Sequence, residues 1–327
     1  MFNFSTVKYF LLLFIINLNF IYAIEILPNT EPHHIDADFN TTEELALLDQ
    51  QTEGFLSSPP SYQRSQRSST TKIMLLGDSI TYGSGSFEEN GTANSRYGYR
   101  NFLYHKLKYA NYNFDFVGSR SAGFTGDGSF DTDHEGYPGI TSEVLSSNIY
   151  KLHDMKKTYL INLLRKNKAD TNTDIEMDKS YIYNLLQMNK PHIILLHIGT
   201  NDTNTSPSID GLKNLLNNID QFESDYNHHI KILLAKIIPS TNSSRNKKIK
   251  KFNENLVGLV NERVDDIEIV DMYSDTNIST QEDFYDQLHP NDEGYRKMAS
   301  VWFSSVSSYL TKNDYGWFPT LNTYFLM

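Results

Sequence analysis

Beginning at Lys72, short apolar runs alternate with longer segments of helical periodicity. The runs, rich in Ile, Leu and Val, cover residues 72–76, 114–117, 192–198, 231–238 and 267–271. The candidate helices cover residues 99–110, 140–166, 209–224, 248–264 and 291–310. Continuous apolar strands joined by helices are typical of a parallel sheet that is buried on both faces. We therefore predict an α/β fold with a parallel sheet of about five strands that is buried on both faces.

The N-terminal 23 residues have the features of a secretory signal peptide. Lys8 provides the positive charge, residues 10–20 form a short apolar core, and Ala23 is the small residue before the cleavage point. The core is short for a bilayer, which needs about 20 apolar residues. We expect a secreted, extracellular protein without stable membrane association, and an uncleaved anchor is the alternative.

The remaining chain divides by composition. Residues 24–70 contain four prolines and no sustained apolar period, so we predict a flexible linker or pro-segment. Residues 71–312 then form the folded domain. The aromatic residues 313–327 form a C-terminal tail that either packs on the domain or binds a surface. The sequons at Asn40, Asn90, Asn204, Asn242 and Asn277 fit a secreted glycoprotein.

Composition excludes several function classes. The chain has 40 Asp and Glu against 29 Lys and Arg, a net charge of −11, which argues against a nucleic-acid partner. It has no cysteine, which excludes disulfides, thiolate zinc sites and a cysteine nucleophile. The residues 131–135 (DTDHE) superficially resemble metal ligands, but adjacent side chains do not all converge on one point. We predict a solvated acidic loop there, no metal, no cofactor and a monomeric protein.

Polar clusters follow two of the strands and precede the last helix, where the functional groups of a parallel sheet gather. The sequence reads GDSIT at 77–81, IGTND at 198–202 and DQLHP at 286–290. A serine hydroxyl needs a base to take its proton, and that base needs an acceptor to orient it. We predict Ser79 as the nucleophile, His289 as the base and Asp286 as its orienting acceptor.

Acyl transfer also needs donors for the negative charge on the carbonyl oxygen. We predict the N–H groups of Ser79 and Gly139 and the side-chain amide of Asn201. Gly136 is the alternative to Gly139, which we favour because a glycine just inside a helix start suits anion binding. The structural alternative for Ser79 is a helix cap.

Neighbouring residues receive supporting roles. We expect Asp78 to be a structural hydrogen-bonding residue and Asp202 to brace its loop. We expect Asn201 to be buried despite its sequon. Tyr82, His134 and Tyr137 are candidates for substrate contact, because they lie near the predicted site.

These motifs, with PGIT at 138–141, together resemble the SGNH (GDSL-like) hydrolase superfamily. The marker residues of that superfamily match Ser79, Gly139, Asn201 and His289, with Asp286 three residues before the histidine. The resemblance implies a three-layer α/β/α sandwich with a flavodoxin-like parallel sheet of about five strands. DFVGSR, DTDHEGYPGIT and LLHIGTND are further similar to carbohydrate esterase family 3, the acetylxylan esterase group. The resemblance covers residues 72–310, and the longer, more charged region 144–188 departs from it as a candidate lid or edge insertion.

Three functions follow as hypotheses. The first is a serine esterase that removes acetyl groups from plant-wall xylan by an acyl-enzyme mechanism. The second is a lipase or lysophospholipase of the same superfamily, with 144–188 as an apolar lid. The third is a catalytically silent glycan-binding protein.

Overall fold

The computed structural model describes residues 70–86, 96–123, 130–148, 161–162, 176 and 178–313. The predicted signal peptide, the linker up to residue 69 and the tail from residue 314 lie outside these residues, as does most of the region 149–177. Nothing in the structure therefore tests those predictions. No helix in the described ranges is both long enough and apolar enough to cross a bilayer.

Seven strands form the sheet within the described residues. They are β1 (Thr71–Gly77), β2 (Phe114–Val117), β3 (Arg120–Ser121), β4 (Asp133–Gly136), β5 (Ile193–His197), β6 (Lys231–Ala235) and β7 (Ile267–Val270). Strand β1 is central: it pairs in parallel with β5 on one side, and with β2 and then β4 on the other. Strands β6 and β7 extend the sheet in parallel beyond β5. The five predicted strands and their parallel arrangement are confirmed.

The short strands β3 and β4 were not predicted. Strand β4 lies in the segment for which we expected a solvated acidic loop, and that expectation is wrong. Its sequence, DHEG, contains no large apolar residue, yet His134 and Glu135 are fully buried. Pairing of Leu76 and Gly77 with Glu135 and Gly136 extends the sheet beside the end of β1.

Helices cover both faces of the sheet. The described helices are α1 (Ser79–Tyr82), α2 (Gly98–Tyr109), α3 (Ser142–Ser146), α4 (Tyr181–Asn189), α5 (Asp210–Tyr226), α6 (Ser243–Asn261) and α7 (Asp292–Val306). The helix predicted over 140–166 is different: α3 ends at Ser146, and Ser147 has an extended conformation. The predicted helix starting at Lys248 begins earlier, at Ser243, because the side chain of Asn242 accepts a hydrogen bond from the N–H of Arg245 and caps it.

The alternation of side chains along β1 separates two cores. Ile73 and Leu75 belong to the core that contains residues of α2 and α7, including the fully buried Trp302. Met74 and Leu76 belong to the core that contains residues of α4, α5 and α6. Each fully buried side chain of this kind contributes about 1.5–3 kcal/mol relative to an exposed one. The predicted three-layer sandwich is confirmed, and its parallel strands end at one edge.

Candidate active site

Ser79, His289 and Asp286 lie in one hydrogen-bonded line. Ser79 directly follows Asp78 after β1, and His289 lies in the loop before α7. The Oγ of Ser79 is 2.9 Å from Nε2 of His289. Nδ1 of the same ring is 2.8 Å from Oδ2 of Asp286. With its proton on Nδ1 and donated to the carboxylate, the imidazole can accept the serine proton at Nε2.

The carboxylate of Asp286 is held by its own loop. Its Oδ1 accepts the N–H groups of Leu288 and His289, both at 2.7 Å. Partial burial by itself would raise the pKa of Asp286, but the hydrogen bonds from His289 and Leu288 outweigh it and lower the pKa. The group therefore stays an acceptor for the histidine ring.

The backbone around Ser79 explains why its hydroxyl is not engaged as a cap. Asp78 is the N-cap of α1, and its Oδ1 accepts the N–H of Ile80 at 2.9 Å. Burial raises the pKa of Asp78 to about 6, although the Ile80 hydrogen bond lowers it. Asp78 thus has the structural position that we expected for it, and the alternative of Ser79 as a helix cap does not match the structure.

Of the two glycines considered as oxyanion donors, only Gly139 is accessible. Gly136 is buried, and its N–H donates to Nδ1 of His134 at 2.9 Å. Gly139 is exposed, with φ of 77°, and a Cβ there would meet nothing within 4 Å. In the described part of the chain the N–H groups of Ser79 and Gly139 have no acceptor. We retain Gly139 as the proposed donor.

Our reason for favouring Gly139 was wrong. The residue lies in a turn and not inside the start of a helix, because α3 begins at Ser142 and has Thr141 as its cap. The positive φ is the feature that glycine satisfies here, since it costs other residues strain.

Asn201 and Asp202 connect their loop to the turn that carries Gly139. Asn201 is half-buried, and its Nδ2 donates to the carbonyl oxygen of Ile140 at 2.8 Å. The nitrogen has a second hydrogen, which is available for an oxyanion. The carboxylate of Asp202 accepts the N–H of Ser142 at 3.2 Å. Asp202 therefore braces the loop, as its position suggested.

The three candidates for substrate contact differ in how deeply their side chains are buried. Tyr82, at the end of α1, is half-buried, with the guanidinium groups of Arg96 and Arg120 at 5.4 and 5.1 Å from its ring centroid. His134 and Tyr137 are 0% and 2% exposed. Buried side chains do not touch a ligand in the cleft, so direct substrate contact does not hold for these two residues.

The buried side chains of His134 and Tyr137 interact with protein groups instead of with a ligand. Burial and the nearby Arg100 and Arg120 lower the pKa of His134, so its ring is neutral. The hydroxyl of Tyr137 donates to the carboxylate of Glu135. Burial raises the pKa of Glu135 to about 7, even though Tyr137 and Ser119 donate hydrogen bonds to it.

Arg100 was not among the predicted site residues; it lies on α2 among residues of helical periodicity and is fully buried. Burial lowers its pKa to about 10. Its guanidinium donates to the backbone carbonyl oxygens of Thr81, Tyr82, Arg96, Ala122 and Thr132. It thereby joins the end of α1 to the residue that follows β3 and to the residue that precedes β4. In the sequence, the only unusual feature near Arg100 is the glycine and the two tyrosines that precede it (YGYR).

Three of the predicted sequons fall in the described residues. Asn204, Asn242 and Asn277 are exposed, whereas Asn40 and Asn90 lie outside the described ranges. The structure does not test whether any of them is glycosylated.

Comparisons with known proteins agree with this geometry. The family model described as GDSL-like lipase/acylhydrolase matches residues 73–302. A multidomain esterase of Ruminococcus flavefaciens is 31% identical over 275 residues, which are 79% of this chain and 31% of that protein. The chain thus spans about a third of the length of this relative.

Two solved structures share the fold. A family 3 carbohydrate esterase of Clostridium thermocellum has 26% identity and a TM-score of 0.54, covering 73% of this chain and 96% of that one. A family 3 carbohydrate esterase from Talaromyces cellulolyticus has 21% identity and a TM-score of 0.53, covering 73% and 98% of the two chains. At its lower identity, the second match shows the fold alone.

Proposed function

The chain belongs to the GDSL-like lipase/acylhydrolase family, the SGNH hydrolases, and we propose that it is a secreted serine esterase that removes acetyl groups from plant-wall polysaccharide. The observation that carries the chemistry is the continuous line from Ser79 Oγ through the His289 ring to Asp286. The substrate class is supported by the family 3 carbohydrate esterase at 26% identity. Secretion is supported by the signal-like sequence of residues 1–23.

The proposed mechanism has two steps. In the first, His289 takes the proton of Ser79 as Oγ attacks the ester carbonyl, and the tetrahedral intermediate collapses to an acyl-serine. The protonated histidine gives its proton to the leaving sugar hydroxyl. In the second, His289 takes a proton from water as its oxygen attacks the acyl-serine, and it returns the proton to Ser79 Oγ as the carboxylic acid leaves. Asp286 holds the ring in position in both steps.

The developing oxyanion would be bound by three donors. They are the N–H groups of Ser79 and Gly139 and the free hydrogen of the Asn201 amide. All are fixed before substrate binds: Ser79 by the first turn of α1, and the other two by the bond from Asn201 to Ile140. Donors that need no rearrangement stabilise the transition state more than the ground state.

The proposal is tested by substrate preference. Release of acid is measured side by side on acetylated xylan, acetylated chitin oligomers and a long-chain acyl ester. We expect turnover on acetylated xylan to exceed that on the other two. Faster turnover of the long-chain ester would instead support the lipase or lysophospholipase hypothesis.

The glycan-binding hypothesis requires a separate measurement, because a silent protein releases no acid from any ester. A serine-reactive organophosphonate is expected to label Ser79 in the intact protein, with the modified peptide identified by mass spectrometry. Absence of label, together with binding to xylan, would favour the non-catalytic reading.

A further inference from the structure

A polar cavity of about 260 Å³ opens beside the proposed catalytic residues. Leu288, which lies between Asp286 and His289 in the chain, forms part of its wall. Thr203, two residues after Asn201, forms another part. The N–H of Thr241 donates to the carbonyl of Gln287 at 3.1 Å and joins the segment before α6 to the catalytic loop. The cavity is therefore lined partly by the loop that carries His289 and partly by the loop that carries Asn201.

Two cations line this cavity, and none of the described residues that line it carries a carboxylate. Arg245 and Lys248 lie in the first turns of α6 and are half-buried. The remaining lining residues are neutral and mostly polar: Thr203, Asn204, Asn242, Ser244, Gln287 and Leu288. This concentration of positive charge stands out on a chain with a net charge of −11.

The two cations contact neutral groups. Nη2 of Arg245 donates to the carbonyl of Thr200 at 2.7 Å, and its Nε is buried without a hydrogen-bond partner among the described residues. Nζ of Lys248 lies 3.2 and 3.3 Å from the carbonyl oxygens of Asn204 and Thr205. Within the described ranges neither forms an ion pair.

Two other half-buried cations of the same domain form ion pairs. Arg263 contacts the carboxylates of Asp220 and Asp265, and Lys236 contacts Asp271. Partial burial lowers the pKa of Arg245, although the nearby charge of Asp78 raises it. An incoming carboxylate in the cavity would offset the cost of holding this cation partly buried.

We propose that this cavity binds the carboxylate of a uronic acid substituent on the acetylated polysaccharide, so that the enzyme prefers acidic xylan over neutral xylan. The inference rests on the function proposed above. The guanidinium of Arg245 and the ammonium of Lys248 bind the carboxylate, and the side chains of Ser244 and Gln287 bind the sugar hydroxyls. The volume lies below the roughly 300–1,000 Å³ of sites that enclose a whole small ligand, which suits one sugar unit of a longer chain.

The test compares three xylans that are chemically acetylated to the same degree. The first carries glucuronic acid side groups, the second has these groups reduced to glucose, and the third has them removed. The ratio of kcat/KM on the acidic xylan to kcat/KM on the reduced xylan isolates the carboxylate from the bulk of the sugar. We expect a ratio of about five for the wild type at low salt, and a decrease as ionic strength rises.

Variants test whether the cavity residues cause the preference for the acidic xylan. In Lys248→Gln and in Arg245→Gln we expect the ratio to fall to about one. Lys247→Gln, which removes an equal charge from an exposed position of α6, is the matched control and should keep the wild-type ratio. Because each variant is compared with itself on two substrates, a general loss of turnover does not change the ratio.

The outcomes separate this inference from the function on which it rests. Equal kcat/KM on all three acetylated xylans, unchanged in the variants, would overturn the uronic acid site and leave the esterase in place. No acetate release from any of the three would contradict the proposed function itself. If Lys247→Gln abolished the preference for acidic xylan as fully as the cavity variants do, the preference would come from the general charge of the surface. That result would also overturn the proposed uronic acid site.

Discussion

The side-chain amide of Asn201 donates a hydrogen bond to the carbonyl oxygen of Ile140, at 2.8 Å. Ile140 directly follows Gly139, so one bond fixes two of the proposed oxyanion donors relative to each other. The two loops are also joined by Asp202 and Ser142. The oxyanion hole is therefore a single braced unit built from segments about 60 residues apart.

Asn201→Ala tests this unit. The change removes one oxyanion donor and the bond to Ile140, so we expect kcat to fall by about 10²–10³-fold, equivalent to about 3–4 kcal/mol. The loss should appear in kcat more than in KM, because the donor acts on charge that develops in the transition state. Asn214→Ala, at an exposed position of α5, is the control and should leave the kinetics unchanged. A wild-type kcat in Asn201→Ala would exclude the amide from the hole.

Gly139→Ala should lower activity, whereas Gly136→Ala should lower stability. An alanine at 139 has space but must adopt the unfavourable φ of 77°, at a cost of about 1–2 kcal/mol. We expect a lower kcat with a small change in Tm. At Gly136 a Cβ would lie 2.5 Å from the backbone nitrogen of Tyr82, so Tm should fall much more. Measuring kcat and Tm for both variants checks this, and an unaltered kcat in Gly139→Ala would contradict the placement of the donor.

Arg100 is expected to be a stability determinant of the nucleophile region. Arg100→Lys keeps the charge, but an ammonium has three donors where the guanidinium serves several carbonyls. We expect the free energy of unfolding to fall by about 2–4 kcal/mol, because buried carbonyls lose their partners. The exposed Arg296→Lys is the matched control. Chemical denaturation measures both, and equal stability of the two variants would count against this role.

The raised pKa of Glu135 should make the stability of the folded protein depend on pH. Its pKa is about 7 in the folded protein because of burial, above the ordinary value of 4.5. Between these two pH values the unfolded chain has released the proton that the folded chain keeps, so stability should fall as pH rises through this window.

Comparison with Glu135→Gln isolates this effect. We expect the stability advantage of the wild type over Glu135→Gln to shrink by about 3 kcal/mol between pH 4.5 and 7.5. Glu262→Gln, at an exposed position, should show no such trend. Denaturant unfolding at a series of pH values checks this, and an advantage that grows with pH would reverse the sign and contradict the assignment.

The predictable and unpredictable parts of this domain differ physically. Strands such as β5 are recognisable because burial on both faces requires an unbroken apolar run. Strand β4 is not, because its backbone pairs with β1 and β3 and the carboxylate of Glu135 accepts hydrogen bonds from Ser119, which is distant in sequence. A buried polar strand has no local signature, since its stability depends on contacts that only the fold creates.

The same distinction applies within the site. Ser79, Asn201 and His289 are identifiable because each follows a strand or precedes a helix in a short polar motif. Arg245 and Lys248, the cations of the uronic acid cavity, belong to no such motif. Their lack of ion pairs and their position beside Leu288 are consequences of how α6 packs against the catalytic loop, which spacing along the chain does not reveal.

The most direct test of the account is acetate release from acetylated xylan by the wild type and by Ser79→Ala. The variant removes only the hydroxyl whose Oγ lies 2.9 Å from Nε2 of His289, and Ser300→Ala on α7 serves as the matched control. We expect the wild type and Ser300→Ala to release acetate at equal rates and Ser79→Ala to lose nearly all turnover while remaining folded. Acetate release by Ser79→Ala at the wild-type rate would contradict the account.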